Sequence, residues 1–124
     1  MIEADLSNRI IGAFFRVHQH LGFGFLEAVY VNALAVELQL CRIWFGREVP
    51  IEVIYRGVSV GTYRLDMIVE DRIIIEVKSS KGITDADERQ LLNYLHASRF
   101  ELGLLLHFGA QGKFKRFVYS NNRK

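Results

Sequence analysis

Between Tyr63 and Ser80 the chain reads YRLDMIVEDRIIIEVKSS, two apolar runs rich in β-branched residues and joined by the charged triplet Glu70-Asp71-Arg72. Runs of this kind belong inside a sheet, and IIIEV has the composition of a central strand covered on both faces. Yet Asp66, Glu76 and Lys78 sit within or beside them. A buried charge is costly unless it is paired or bound to a metal. Any fold that buries these strands must therefore bring partners to those three residues.

Alternation along a strand puts Glu76 and Lys78 on one face and Ile75 and Val77 on the other. Asp66 stands opposite Glu76 only if the hairpin is centred on Asp71, with Glu70, Asp71 and Arg72 as its loop. A two-residue loop would set Asp66 against Ile75 and send the carboxylates to opposite faces. In the first register the two Cβ atoms lie about 4.5–5.5 Å apart, and the carboxylates need a cation, a shared proton or a nearby lysine. A divalent, oxygen-liking ion such as Mg²⁺ meets that need with two carboxylates, a backbone carbonyl and waters, leaving positions for phosphate oxygens. Lys78 would then orient the attacking water and neutralise charge developing on the phosphate. For the bare spacing of Asp, nine residues and Glu-x-Lys, an ordinary cross-strand ion pair at a sheet edge is the simpler account. The apolar setting shifts the balance toward a site.

Around these strands the periodicity predicts two helices first. Over residues 5–21, Leu6, Ile10, Ala13, Phe14, Val17 and Leu21 recur at threes and fours, and Gly22 and Gly24 end the pattern. Residues 26–40 carry more apolar side chains than one face needs, which predicts the better buried of the two helices. Alternation over residues 49–55 gives a strand whose entry Pro50 demotes to an edge, and Arg56-Gly57 turns the chain into residues 58–69. After IIIEV, Thr84 or Asp85, with Glu88 three beyond Asp85, reads as the N-cap and capping box of a helix running to about residue 98. Two further strands follow near residues 102–108 and 114–119. The order is ααβββαββ, an α/β chain with a mixed sheet.

With 124 residues and no linker or repeat, residues 1–124 are expected to form one domain. A net charge of +2 makes the whole-molecule field a weak attractor of polyanions, so the local distribution matters more. Lys113, Lys115, Arg116, Arg123 and Lys124 make the C-terminal end basic, and Lys78 and Lys81 offer a positive rim, although solvated surface lysines account for most such positions. Cys41 alone cannot form an internal disulfide. The N-terminal stretch lacks the basic and continuously apolar segments of a signal peptide, and no apolar run reaches transmembrane length, so the expectation is a cytoplasmic chain without a membrane partner.

Taken together, Asp66, the interval, and Glu76-Val77-Lys78 resemble the PD-(D/E)XK (restriction-endonuclease-like) superfamily of nucleases. Gly24-Phe25-Leu26-Glu27-Ala28-Val29-Tyr30 is similar to the GxxExxY signature of one family within it, and YRLD, EVK, QLLNYL and GLLLHFG resemble its later blocks. The resemblance spans residues 10–119. It implies a mixed-sheet core flanked by helices and a metal-dependent endonuclease acting on DNA, with Mg²⁺ as cofactor and Mn²⁺ as its substitute. Asp66, Glu76, the Val77 carbonyl and Glu27 would hold the metal, Lys78 would be the catalytic lysine, and Gln90 would sit near lysine and phosphate. Glu27 is equally well a favourable charge in the first turn of its helix. Tyr30 and Tyr94, one turn from Glu27 and Gln90, read as core rings with hydroxyls at the rim. The sequence departs from the family pattern at Leu65 for Pro, Asp87 for His and His107 for Asn, the last two bearing on substrate contacts. His18 and His20 diverge on their helix and His96 stands alone, which argues against zinc.

Two other functions fit the same residues. One is a nucleic-acid- or protein-binding module on this fold without useful turnover, and the other is a structural domain in which the charges form an ion-pair network. A compact nuclease has little surface with which to grip a duplex, which leads to the expectation of a homodimer.

Overall fold

The stripe of residues 6–17 forms α1 (Ala4–Leu21), burying Leu6, Ile10, Ala13, Phe14 and Val17 against one face of a sheet. Its end is set by Gly22, whose φ of 71° closes the helix by returning its N–H to the His18 carbonyl. α2 (Glu27–Leu40) packs beside α1 on that face, through Tyr30, Val31, Leu34, Ala35 and Leu38. Residues 2–124 are described by this computed structural model. None of the described helices is long and apolar enough to cross a membrane.

The excess apolar surface of α2 is not buried, contrary to the sequence-based expectation. Leu26, Val29, Val36 and Leu40 are exposed to solvent. Composition reports how apolar a helix is but not how many of its faces have neighbours, and α2 is covered on one side only.

Five strands follow: β1 (Phe45–Tyr55), β2 (Val58–Val69), β3 (Ile73–Lys78), β4 (Leu102–Phe108) and β5 (Gly112–Val118), with α3 (Asp85–Ala97) between β3 and β4. The sheet runs in sequence order, antiparallel throughout except for the parallel β3–β4 pair that α3 connects. β1 starts at Phe45, four residues before the alternation becomes legible. Gly46 and Arg47-Glu48 break the apolar pattern there, and Glu48 adopts φ 50° within the strand. Pro50 is tolerated because β1 is an edge strand. Arg56 and Gly57, both at positive φ, form the two-residue turn into β2.

The sheet separates two cores. Ile73, Ile75 and Val77 of β3 face α1 and α2, while Ile74 faces α3 with Leu91, Tyr94 and Leu95. Every β3 residue from Ile73 to Val77 is buried, as expected of a central strand. α3 starts with Thr84 as N-cap, and its capping box closes on Asp87 rather than Glu88. The helix lies close to β4 because residue 103 is glycine. A Cβ there would stand 2.8 Å from Leu91 Cδ1 and 3.1 Å from its Cγ, in a fully buried contact. Gly103→Ala should therefore lower stability by about 1–3 kcal/mol, read as a fall in the urea midpoint with unchanged slope; an unchanged midpoint would show that α3 is free to lift.

Candidate metal and phosphate site

β2 and β3 pair as Met67↔Ile75, Ile68↔Ile74 and Val69↔Ile73, a register centred on Asp71 with Glu70, Asp71 and Arg72 as the loop. The next pair in that register is Asp66 and Glu76, and there the backbone ladder gives way to side chains. The Asp66 N–H donates to Glu76 Oε1 at 3.2 Å, and the Val77 N–H donates to Asp66 Oδ2 at 2.8 Å. Each carboxylate thus takes the place of a ladder carbonyl on the opposite strand, and the two strands part around them. The β-branched runs bury the hairpin, and its register brings both acids to the same point at the fork.

Glu76 is 5% exposed, and burial, reinforced by the neighbouring Asp66, pushes its carboxyl up to about 8. Burial also raises Asp66, against the opposing effect of the Val77 N–H and of Lys78. The two side chains are also hydrogen-bonded to each other, which lowers Asp66 against the effect of its burial. Two crowded carboxyls that resist ionisation and meet at one point are a hard all-oxygen donor set that suits a divalent cation such as Mg²⁺ or Mn²⁺. Val77 could add only main-chain atoms, since its side chain is buried in the α1–α2 core.

Lys78 projects on the same face as Glu76, toward α3. Its ammonium donates to Gln90 Oε1 at 3.0 Å and lies 3.9 Å from Asp87 Oδ1. Asp87 is thus both the N3 residue of the capping box and a neighbour of the lysine, a second role the sequence reading missed. Its spacing of three from Gln90 on one helix face was the available signal. Arg47, whose charge lowers Asp66, also went unnoticed because the start of β1 did. Tyr94 lies close enough to the two acids for their charges to act on its phenol, and its ring is tilted against that of Tyr63, with ring centres 5.3 Å apart. Burial and then the Glu76 charge push its phenol up to about 12. Tyr30 does something else: its hydroxyl donates to the Gly22 carbonyl at 2.7 Å and its ring stacks on Phe108, holding the α1–α2 loop.

Glu27 is the outlying member. It is the first residue of α2, on the opposite side of the sheet from α3, and reaches around the end of β3 closely enough for its charge to raise Glu76. It lines an open cleft of about 690 Å³ with Phe23, Phe25, Ser79 and Lys81, whose lining does not include Asp66, Glu76 or Lys78. Among the described residues no three His, Cys, Asp or Glu side chains stand close enough together to hold a metal ion. The structure therefore joins Asp66, Glu76, Lys78 and Gln90 into one group and leaves Glu27 at its rim.

The chain matches the PD-(D/E)XK nuclease superfamily over residues 4–117 and belongs to it. Among solved structures it is similar to that of SSO0001, with 22% identity and a TM-score of 0.54, over 75% of this chain and 50% of that one. That likeness concerns the fold, and the chain spans about half the length of SSO0001. No curated protein matches it in sequence.

The raised carboxyl has a thermodynamic consequence. Between pH 4.5, the ordinary glutamate value, and about 8, the folded chain keeps a proton on Glu76 that the unfolded chain has lost. The contribution of Glu76 to the stability of the metal-free protein therefore falls as pH rises through that window. Glu76→Gln keeps the acceptor for the Asp66 N–H and removes the charge. It should stabilise the chelated protein by on the order of 2–4 kcal/mol at pH 8 and by much less at pH 5, measured as urea midpoints at the two pH values.

Proposed function

We propose that this chain is a divalent-metal-dependent nuclease of the GxxExxY group, hydrolysing phosphodiester bonds in DNA. The observation that supports it best is the insertion of Asp66 and Glu76 into the β2–β3 fork beside a lysine oriented by Gln90. Asp66, Glu76 and the Val77 main chain would hold Mg²⁺ or Mn²⁺, with Glu27 acting from the rim through its charge or a water. When bound, the ion supplies Lewis-acid polarisation of a phosphate oxygen. Lys78 orients the attacking water and stabilises the negative charge of the phosphorane-like transition state. Gln90 keeps the ammonium from collapsing onto Asp87, the competing carboxylate 3.9 Å away.

A second reading keeps the fold as a nucleic-acid- or protein-binding module with weak turnover or none. It draws on the lack of a third acid within metal-holding distance among the described residues. Catalysis and binding separate at Lys78. Lys78→Ala should leave Mg²⁺ affinity intact or raised while plasmid nicking falls by about 10²–10³. Asp66→Ala and Glu76→Ala should lose calorimetric metal binding and nicking together, and Gln90→Ala should nick more slowly than wild type but faster than Lys78→Ala. Equal nicking by wild type and Lys78→Ala would sink the mechanism. Metal binding without cleavage of any offered DNA would favour the module.

The reading includes a homodimer. Leu26, Val29, Val36 and Leu40 are exposed along the outer side of α2, and with Ala33, half-buried against the core, they recur at the spacings of three and four of paired helices. With a second copy antiparallel about Ala33, Leu26 meets Leu40 and the small residue lies at the centre, so the stripe complements itself. Light scattering at micromolar concentration should give twice the chain mass, and Val36→Glu, at a site 54% exposed, should return it to one. A wild type that is monomeric throughout would remove the dimer.

A further inference from the structure

Lys78, His107 and Lys113 form a row across three strands. Lys78 pairs with His107 in the parallel β3–β4 ladder, and His107 pairs with Lys113 in the antiparallel β4–β5 ladder. Cross-strand partners share a face, and Phe117, four residues past Lys113, packs against the α3 core, so the row lies on the face that carries Glu76. Two strand spacings, about 10 Å, separate its ends. Beside it opens a cavity of about 480 Å³ whose lining includes Lys81, His107, Lys113 and Lys115 and no carboxylate. Lys115 is neutralised by Glu88 at 2.6 Å, whereas neither Lys81 nor Lys113 has an acidic partner among the described residues.

His107 forms the buried wall of this cavity, at 2% exposure. Ser80 Oγ donates its single proton to the Gly82 carbonyl and so accepts from His107 Nε2 at 3.1 Å, which ties down the loop bearing Lys81. That leaves His107 Nδ1 buried with no partner.

The cleft of about 690 Å³ adjoins this cavity, sharing Lys81 and Ala110 with it. Its distinctive members are Phe23 and Phe25, 65% and 47% exposed. They are not frayed. Gly22 and Gly24 supply positive φ on either side of Phe23, the Tyr30 hydroxyl bonds both the Gly22 carbonyl and the Phe25 N–H, and Ser79 Oγ donates to the Phe25 carbonyl. The loop is tied at three points, yet it holds two aromatic faces in water. Cationic tracks beside exposed rings are how proteins grip unpaired nucleotides, whose phosphates need charge and whose bases need a stacking surface.

We infer that the ligand delivered to this site is single-stranded nucleic acid, with its bases against Phe23 and Phe25 and its phosphates along Lys81 and Lys113, over the wall that His107 forms. The assignment rests on the nuclease reading for the position of the scissile phosphate at Lys78, and its test is separable from that reading. Binding of wild-type protein to a fluorescein-labelled DNA strand of about 12 nucleotides, and to the same sequence as a blunt duplex, is measured by anisotropy in chelator. The single strand should bind at least about tenfold tighter. Lys81→Gln with Lys113→Gln should flatten the plot of log affinity against log salt by about 1.4, roughly 0.7 for each phosphate contact. Phe23→Ala with Phe25→Ala should weaken binding by roughly 30- to 10⁴-fold with little change in slope. Arg42→Asn, which removes one charge just past the C-terminal end of α2, should alter neither. Equal or tighter binding of the duplex, or unchanged affinity and slope in both double variants, would overturn the assignment. A separate arm adds Mn²⁺ and follows cleavage of the same oligonucleotides. Strand binding through these residues without cleavage keeps this surface and removes the nuclease reading, whereas duplex cleavage undiminished in the phenylalanine variant does the reverse.

Discussion

Two carboxylates standing in for two ladder hydrogen bonds are the constraint on which the rest of the site depends. Where Asp66 and Glu76 reach across between β2 and β3, each satisfies a backbone N–H of the other strand, so the fork carries no orphaned donors at these positions. The arrangement has a cost. Both acids are desolvated and close together, and each is harder to ionise than in water. A local instability of this kind persists only because the surrounding strands are buried in two separate cores, which hold the hairpin in register regardless of the repulsion at its open end.

The second layer of the arrangement is α3. Gly103 lets this helix settle onto β4, and the Thr84–Asp87 capping box sets where it starts. Those two features bring Gln90 to Lys78 and Tyr94 within range of the acids' charges. The lysine sits between an amide that orients it and a carboxylate that would capture it, and the shorter contact is to the amide. A cation aimed by a neutral partner remains available to a substrate phosphate in a way that a fully paired one does not.

Much of this was legible in the order of residues, for reasons that can be named. The alternation in β2, the β-branched run of β3 and the turn residues at Arg56-Gly57 each act within a few positions, so periodicity reports them. The register of the β2–β3 hairpin followed from the demand that two buried acids meet. The start of β1 was hidden because Gly46 and Glu48 interrupt the alternation, and Arg47 was lost with it. The burial of α2 was misjudged because apolar content does not count neighbours: Val36 and Leu40 are as apolar as Leu34 and Leu38, yet they face water.

The sequence by itself determined the types and order of the elements, the face shared by Glu76 and Lys78, and the superfamily resemblance, all of which rest on local periodicity and spacing. Only the tertiary structure decided which distant groups meet. It put Asp87 beside the lysine together with the expected Gln90, and left Glu27 at the rim because α2 packs on the other side of the sheet. It aligned Lys78, His107 and Lys113 across three strands while sending Lys124 to the Ser98 and Phe100 carbonyls. A basic C-terminal sequence cannot reveal that division, because strand order and helix docking are set by the burial of whole faces rather than by the charges those faces carry.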